Sequence, residues 1–272
     1  MSDEALSILI HGPAGGGKST FAATGPKPIL LLDAERAARF IRLRKVKWDP
    51  MREAPPVYDG TWDMAVVKTN NWDTALKAYE YLKSGKHPFR TVVIDSISEI
   101  QVKAMENING RSQMQTHHWG RLLQNMGAYL RDLRDLLEDD ETDSPLQVLV
   151  LISTSKNYEG TWKPFLQGGI ASQVPYMFDI VGYYYANQIQ DPTTGEVKEV
   201  RELFTGNHPQ YEAKCRPAGV PASLQNTTLE AIFNNIFGVQ TPAPAQAPAP
   251  AAEVPAPPAP PANANSLALP VD

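Results

Sequence analysis

The chain has a single cysteine, Cys215, among 272 residues, which excludes an internal disulfide framework and leaves too few thiolates for a cysteine-based zinc site. A reducing compartment suits it. No apolar run approaches the roughly 20 residues needed to span a bilayer, and the opening Met-Ser-Asp-Glu is acidic where a secretory leader is basic. The expectation is a soluble, intracellular protein that makes no membrane contact. Positive charge is not in excess either: 25 Lys and Arg against 30 Asp and Glu give a net charge of -5. That balance argues against coating duplex DNA through bulk charge, although it leaves room for local basic patches.

What the chain does have begins at Ile8-Leu-Ile-His-Gly-Pro-Ala-Gly-Gly-Gly-Lys-Ser-Thr20, a G-x-x-x-x-G-K-S element after a short apolar strand and before a helical segment. This is the sequence of a phosphate-binding loop in its expected context. Gly12, Gly15, Gly16 and Gly17 can take backbone angles barred to other residues, so successive N–H groups of the stretch Gly12, Pro13, Ala14, Gly15, Gly16, Gly17, Lys18, Ser19 and Thr20 can turn toward phosphate oxygens. Lys18 is the candidate for the outer phosphates, and the Ser19 hydroxyl for Mg²⁺.

Apolar runs at 6–10, 28–33, 91–95 and 146–152 are nearly continuous and are separated by helical stretches, the pattern of strands buried on both faces of a mainly parallel sheet. Trp72, Ala75, Leu76, Tyr79 and Leu82 repeat at helical spacing. So do Leu122, Met126, Tyr129, Leu133, Leu136 and Leu137, opposite a face carrying Arg131, Asp132, Arg134 and Asp135. Residues 153–172 are aperiodic and rich in Gly, Lys and aromatics. Phe178 to Tyr185 and Val197 to Phe204 read as a hairpin around the turn Asp191-Pro-Thr-Thr-Gly195. Thr227 and Glu230 form a capping box for a last helix that Gly238 closes. From Val239 onward the Pro/Ala-rich composition cannot build a core. The expected organisation is an α/β P-loop domain over 1–238 with a C-terminal hairpin and helix, and a disordered tail over 239–272 ending in a more apolar tip, Ser266 to Asp272.

Two acidic strand ends narrow the reading. Thr91-Val-Val-Ile-Asp95-Ser96 puts Asp95 where a second, metal-orienting carboxylate belongs opposite Ser19. Ile29-Leu-Leu-Leu-Asp33-Ala-Glu35 resembles the second core strand of RecA-type recombinases, whose Asp-Ala-Glu stretch contains the catalytic glutamate. By that resemblance Glu35 would polarise the attacking water. The alternative is an acid placed at a helix start. Tyr211-Glu-Ala-Lys214-Cys-Arg216 resembles the Lys-x-Arg element that RecA-fold and replicative-helicase ATPases insert into a neighbouring subunit's active site, and Ser153 or Thr154 matches the position that senses the γ-phosphate. The recombinase glutamine is missing there.

The resemblance extends over residues 5–237 to the compact RecA-core ATPases encoded by bacteriophages and linked to single-strand annealing and recombination. It implies ATP and Mg²⁺ as ligands, a homo-oligomeric ring or filament, single-stranded DNA as partner, a cytoplasmic setting in a bacterial or phage-infected host, and a tail suited to a single-strand binding protein or another replication factor. The extra N-terminal helical domain of RadA-type recombinases and the C-terminal domain of bacterial RecA have no counterpart, so full strand exchange is not carried over. Loops matching the family's DNA-holding loops are 107–120, with Arg111 and Trp119, and 156–169, with Lys156, Tyr158, Trp162 and Lys163. Their cations and aromatics suit stacking of bases and neutralisation of phosphates. Equally, aromatics in such loops can tuck onto the core. His117 and His118 lack partners for a metal site. The basic cluster Arg36, Arg39, Arg42, Arg44, Lys45 and Lys47 reads either as a guide for nucleic acid or as the solvated face of a helix. A helicase or helicase-loading motor, a DNA-independent small-molecule kinase or NTPase, and a non-catalytic nucleotide-gated module remain as alternatives.

Overall fold

The computed structural model describes residues 4–138, 142–190 and 195–238. In chain order these form β1 (Leu6–Gly12), α1 (Lys18–Ala22), β2 (Ile29–Asp33), a 3-10 turn (Ala37–Phe40), β3 (Lys45–Trp48), β4 (Met64–Lys68), α2 (Trp72–Lys83), β5 (Thr91–Asp95), α3 (Ile97–Asn109), α4 (Thr116–Asp135), β6 (Val148–Tyr158), β7 (Thr161–Pro164), α5 (Ile170–Met177), β8 (Ile180–Gln190), β9 (Val197–Phe204), β10 (Lys214–Cys215), β11 (Ser223–Gln225) and α6 (Leu229–Phe237). The architecture is α/β. One large, mostly parallel sheet runs β11-β9-β8-β1-β6-β5-β2-β4-β3, with β10 against β8 and β7 against β6.

The strands from β8 to β3 in that order all pair in parallel, and their near-continuous apolar runs follow from burial of both sheet faces. Leu9, Leu30, Leu32, Val92, Ile94, Leu149 and Leu151 point to the side covered by α2, α3 and α4. Ile8, Ile10, Ile29, Leu31, Val93, Val150 and Ile152 point to the opposite side, where α1 and α6 contribute Phe21, Leu229, Ile232 and Phe233. Alternation along each strand thus divides one apolar run between two cores.

Several sequence expectations need correction. The basic cluster is not a helix: it spans the 3-10 turn and the edge strand β3, with β4 inside it, and β3 shows no apolar run because Lys45 and Lys47 alternate with Val46 and Trp48. Lys45 there donates to the carbonyls of Ala38 and Ile41. The segment 107–120 is mostly helix, with α3 and α4 joined by a short connection, so Trp119 lies in the first turn of α4. Residues 153–172 are more ordered than their aperiodicity suggests, because β6 runs on to Tyr158 and folds back as β7. The cap of α6 is Thr228, not Thr227; its side chain accepts from the Ala231 N–H. The expected hairpin is present as antiparallel β8 and β9, while most of its turn, 191–194, lies outside the described residues, as does the tail from 239 onward.

Candidate active site and a neighbouring cleft

Parallel strands bring their C-terminal ends to one edge, and the register decides which side chains meet. Gly12 lies beside Thr154, Asp95 beside Ile152, and Asp33 beside Asp95. This is where an open α/β sheet forms its crevice. The crevice has a volume of about 500 Å³ and is walled by residues 14–20, Glu35, Arg36, Arg39, Phe40, Asp95, Ser96 and Thr154 among others.

The loop enters through Gly12, where a Cβ would stand 2.0 Å from the Tyr184 carbonyl oxygen, so no other residue fits without moving β8. It leaves through Gly17, at φ 93° and ψ 15°, a left-handed conformation that favours glycine. Lys18 folds over its own loop: Nζ donates to the carbonyls of Gly12 at 2.9 Å and Pro13 at 2.8 Å. Burial lowers the Lys18 pKa, and the charges of Asp95 and Glu35 oppose that shift.

Ser19 Oγ donates to Asp95 Oδ2 at 2.5 Å. Asp95 is only 2% exposed, and burial pushes its carboxyl up to about 6, with the Ser19 hydrogen bond pulling the other way and Glu35 and Asp33 adding to the rise. A hydroxyl and a carboxylate in contact at the mouth of a phosphate loop form a hard-oxygen pair that fits Mg²⁺ completed by phosphate and water. Among the described residues no cluster of three or more His, Cys, Asp or Glu could hold a metal ion.

The two acids of Asp33-Ala-Glu35 have different jobs. The Asp33 carboxylate is buried and accepts from the N–H groups of Ala37 at 2.9 Å and Ala38 at 3.2 Å, anchoring the 3-10 turn. Glu35 is exposed on the crevice wall and its Oε1 accepts from Ser96 Oγ. Of the two candidate sensors, Thr154 lines the crevice, whereas Ser153 is wholly buried and bonded to the carbonyls of Thr154 and Phe165.

Two residues, one on the crevice wall and one outside the phosphate loop, were not legible in the sequence. Phe40 is 74% exposed, an aromatic face with the Arg39 guanidinium 4.6 Å from its ring centre. Arg201, on β9, donates to the Gly16 carbonyl at 2.7 Å from outside the loop. Only tertiary pairing of β9 with β8 puts it there. Lys214 and Arg216 do not reach this crevice: Lys214 Nζ donates to the Pro175 carbonyl, and Arg216 donates to the Tyr176 carbonyl and meets Asp179 at 3.4 Å.

A second cleft, of about 660 Å³, gathers four of the six residues expected to touch nucleic acid: Trp119, Lys156, Tyr158 and Lys163, together with Phe165, Tyr176 and Glu212. Lys156 Nζ sits 5.5 Å from the Tyr158 ring centre and 5.3 Å from that of Phe165. Tyr176, 75% exposed, was missed because nothing in the spacing of Ile170–Met177 singles the tyrosine out. Arg111 lies on the α3–α4 connection and Trp162 is half-buried against the 210–212 backbone; neither lines this cleft.

No helix among the described residues is long and apolar enough to cross a membrane. No curated protein matches the chain. A family model described as an AAA domain matches residues 4–217, a span that takes in the phosphate loop, both acidic strand ends and the second cleft. The chain belongs to this AAA-domain family of P-loop ATPases.

Proposed function

We propose that this protein is a Mg²⁺-dependent ATPase with a RecA-like core, stimulated by single-stranded DNA and acting in recombination or single-strand annealing as a ring or filament. The observation that carries the reading is the shared strand β6: Thr154 lines the nucleotide crevice, and Lys156, two residues on, lines the cleft of cations and aromatics. A nucleotide site and a polyanion-suited surface thus sit on one continuous element. Such a surface, with Lys156 and Lys163 beside Trp119, Tyr158 and Tyr176, suits stacked bases and a phosphate backbone without sequence readout.

In the nucleotide crevice the loop N–H groups and Lys18 bind the phosphates, Ser19 and Asp95 hold the cation, and Glu35 orients the water. A divalent cation held by Ser19 and Asp95 would neutralise charge developing on the transferred phosphoryl group. Phe40 offers a stacking face for the base, which places specificity for a nucleoside over bare polyphosphate on that side chain. Lys214 and Arg216, engaged at the far end of β8 in their own chain, act on the active site of a neighbouring subunit in this reading. The segment 239–272 is assigned to contact with a single-strand binding protein or another replication factor.

Steady-state ATP hydrolysis with and without oligothymidylate at two salt concentrations tests the proposal. Stimulation that fades with salt supports it. Turnover indifferent to DNA removes it in favour of a small-molecule kinase or NTPase.

A further inference from the structure

His11 precedes the first glycine of the phosphate loop and is fully buried. Neither of its ring nitrogens serves the nucleotide crevice. Ser155 Oγ–H donates to Nδ1 at 2.8 Å, and Nε2–H donates to the Glu212 carbonyl at 2.7 Å. The carbonyl can only accept, which fixes the tautomer. Burial lowers the His11 pKa to about 4, so at neutral pH the ring is uncharged and keeps this one-donor, one-acceptor pattern.

Each partner belongs to the other cleft's framework. Ser155 directly precedes Lys156 on β6, and Glu212 itself lines that cleft. The 210–212 segment is fastened to β7 through Trp162 N–H to the Gln210 carbonyl at 2.7 Å and Glu212 N–H to the Trp162 carbonyl at 2.9 Å. On the ring's remaining side Tyr183 meets it edge-on at 5.3 Å and stacks on Tyr211 at 4.2 Å. The imidazole is therefore clamped between β6, β8 and the 210–212 segment. Its backbone leads straight into Gly12, which has no slack against Tyr184 and whose carbonyl accepts from Lys18.

We infer that His11 is a positioning residue that couples the two clefts, so that the set of the phosphate loop and the set of the β6–β7 surface favour one another. The inference rests on the reading of the second cleft as a polynucleotide surface. A shift of Gly12 as the loop closes on phosphate moves the imidazole. Through two directional hydrogen bonds, the imidazole then moves the strand that carries Lys156 and the segment that carries Glu212.

Linkage gives a reciprocal test, because the factor by which nucleotide changes oligonucleotide affinity must equal the factor in the reverse direction. The measurements are the affinity of fluorescein-labelled oligothymidylate with and without Mg²⁺ and a non-hydrolysable ATP analogue, and the analogue's affinity with and without oligothymidylate. Ser155→Ala is expected to cut the coupling factor about three- to tenfold while leaving each affinity alone within about twofold, as loss of one hydrogen bond allows. Ser155→Thr, which keeps the hydroxyl, is expected to retain the coupling. His11→Phe, which keeps a ring beside Tyr183, is expected to abolish it. Coupling that persists unchanged in folded Ser155→Ala overturns the role of His11 and leaves the functional reading standing. Wild-type protein that binds no oligothymidylate overturns the functional reading and the coupling with it.

Discussion

Ser19 Oγ and Asp95 Oδ2 lie 2.5 Å apart across the floor of the nucleotide crevice, one carried by the phosphate loop and the other by the end of β5. Among the described residues the buried carboxyl has the Ser19 hydroxyl and no cation in hydrogen-bond contact, which is unfavourable in the empty protein and useful once a divalent cation arrives. Asp95→Asn is therefore expected to move stability and activity in opposite directions. The empty variant should unfold at higher urea concentration near pH 8, by about 1–3 kcal/mol, while Mg²⁺-dependent hydrolysis falls to background. A variant that loses both would mean Asp95 is a structural acid.

Three shifted groups contribute to the pH dependence with different signs. Asp95 rises from 3.8 to about 6, so its folded form binds the extra proton and its contribution to stability is present at low pH and lost as pH rises through that window. His11 and His87 fall from 6.5 to about 4; the unfolded chain then binds the extra protons, and stability is lost as pH falls through 6.5 toward 4. Urea melts at pH 7 and pH 5 should show Asp95→Asn losing more stability on acidification than wild type. Mg²⁺-dependent nucleotide binding by wild type should weaken below pH 6 as the proton competes for Asp95.

Glu35 and Asp33 should separate cleanly. Glu35→Gln keeps shape and a hydrogen-bonding partner for Ser96 but removes the water-orienting charge, and is expected to lower turnover by about 10² to 10⁴ with nucleotide affinity retained. Asp33→Asn weakens the anchor of the 3-10 turn and should cost about 1–2 kcal/mol of stability. Single-turnover hydrolysis paired with thermal melts distinguishes the two, and equal kinetic damage from both would remove the special place given to Glu35.

Phe40 is 74% exposed, and among the described residues its ring contact is with the Arg39 guanidinium. Phe40→Ala should weaken ATP binding about fivefold or more, the range of a lost base-stacking contact, and leave tripolyphosphate binding unchanged. Competition titrations with the two ligands read this directly; equal losses would show that Phe40 shapes the loop rather than meeting the base.

Lys156 and Lys163 present their ammonium groups to the second cleft. Replacing both with alanine should weaken oligothymidylate binding and reduce the slope of log affinity against log salt by about 1.4, the value for two single-strand phosphate contacts. An unchanged slope would place the backbone contacts elsewhere, with Arg111 the next residue to replace.

The sequence determined the chemistry that depends on local order. Gly15 to Ser19 are contiguous, and the apolar runs that lead to Asp33, to Asp95 and to Ser153 and Thr154 are nearly continuous because both faces of a parallel strand are buried. The antiparallel hairpin was equally legible, since two strand-like segments flanking the turn residues Asp191 to Gly195 encode it locally. Tertiary structure decided what depends on pairing between distant segments. Register brings Asp95 beside Asp33, the phosphate loop carries Ser19 to Asp95, and only the turn's hydrogen bonds sort anchoring Asp33 from crevice-facing Glu35. The β8–β9 pairing carries Arg201 to the outside of the phosphate loop, and α4 places Trp119 beside Gly168 although the linear reading made it a loop residue. His11 is the clearest case. In the sequence it is one apolar-flanked residue before a glycine; in the fold its two nitrogens reach residues 144 and 201 positions away, because hydrogen bonding needs geometry that a linear pattern does not record.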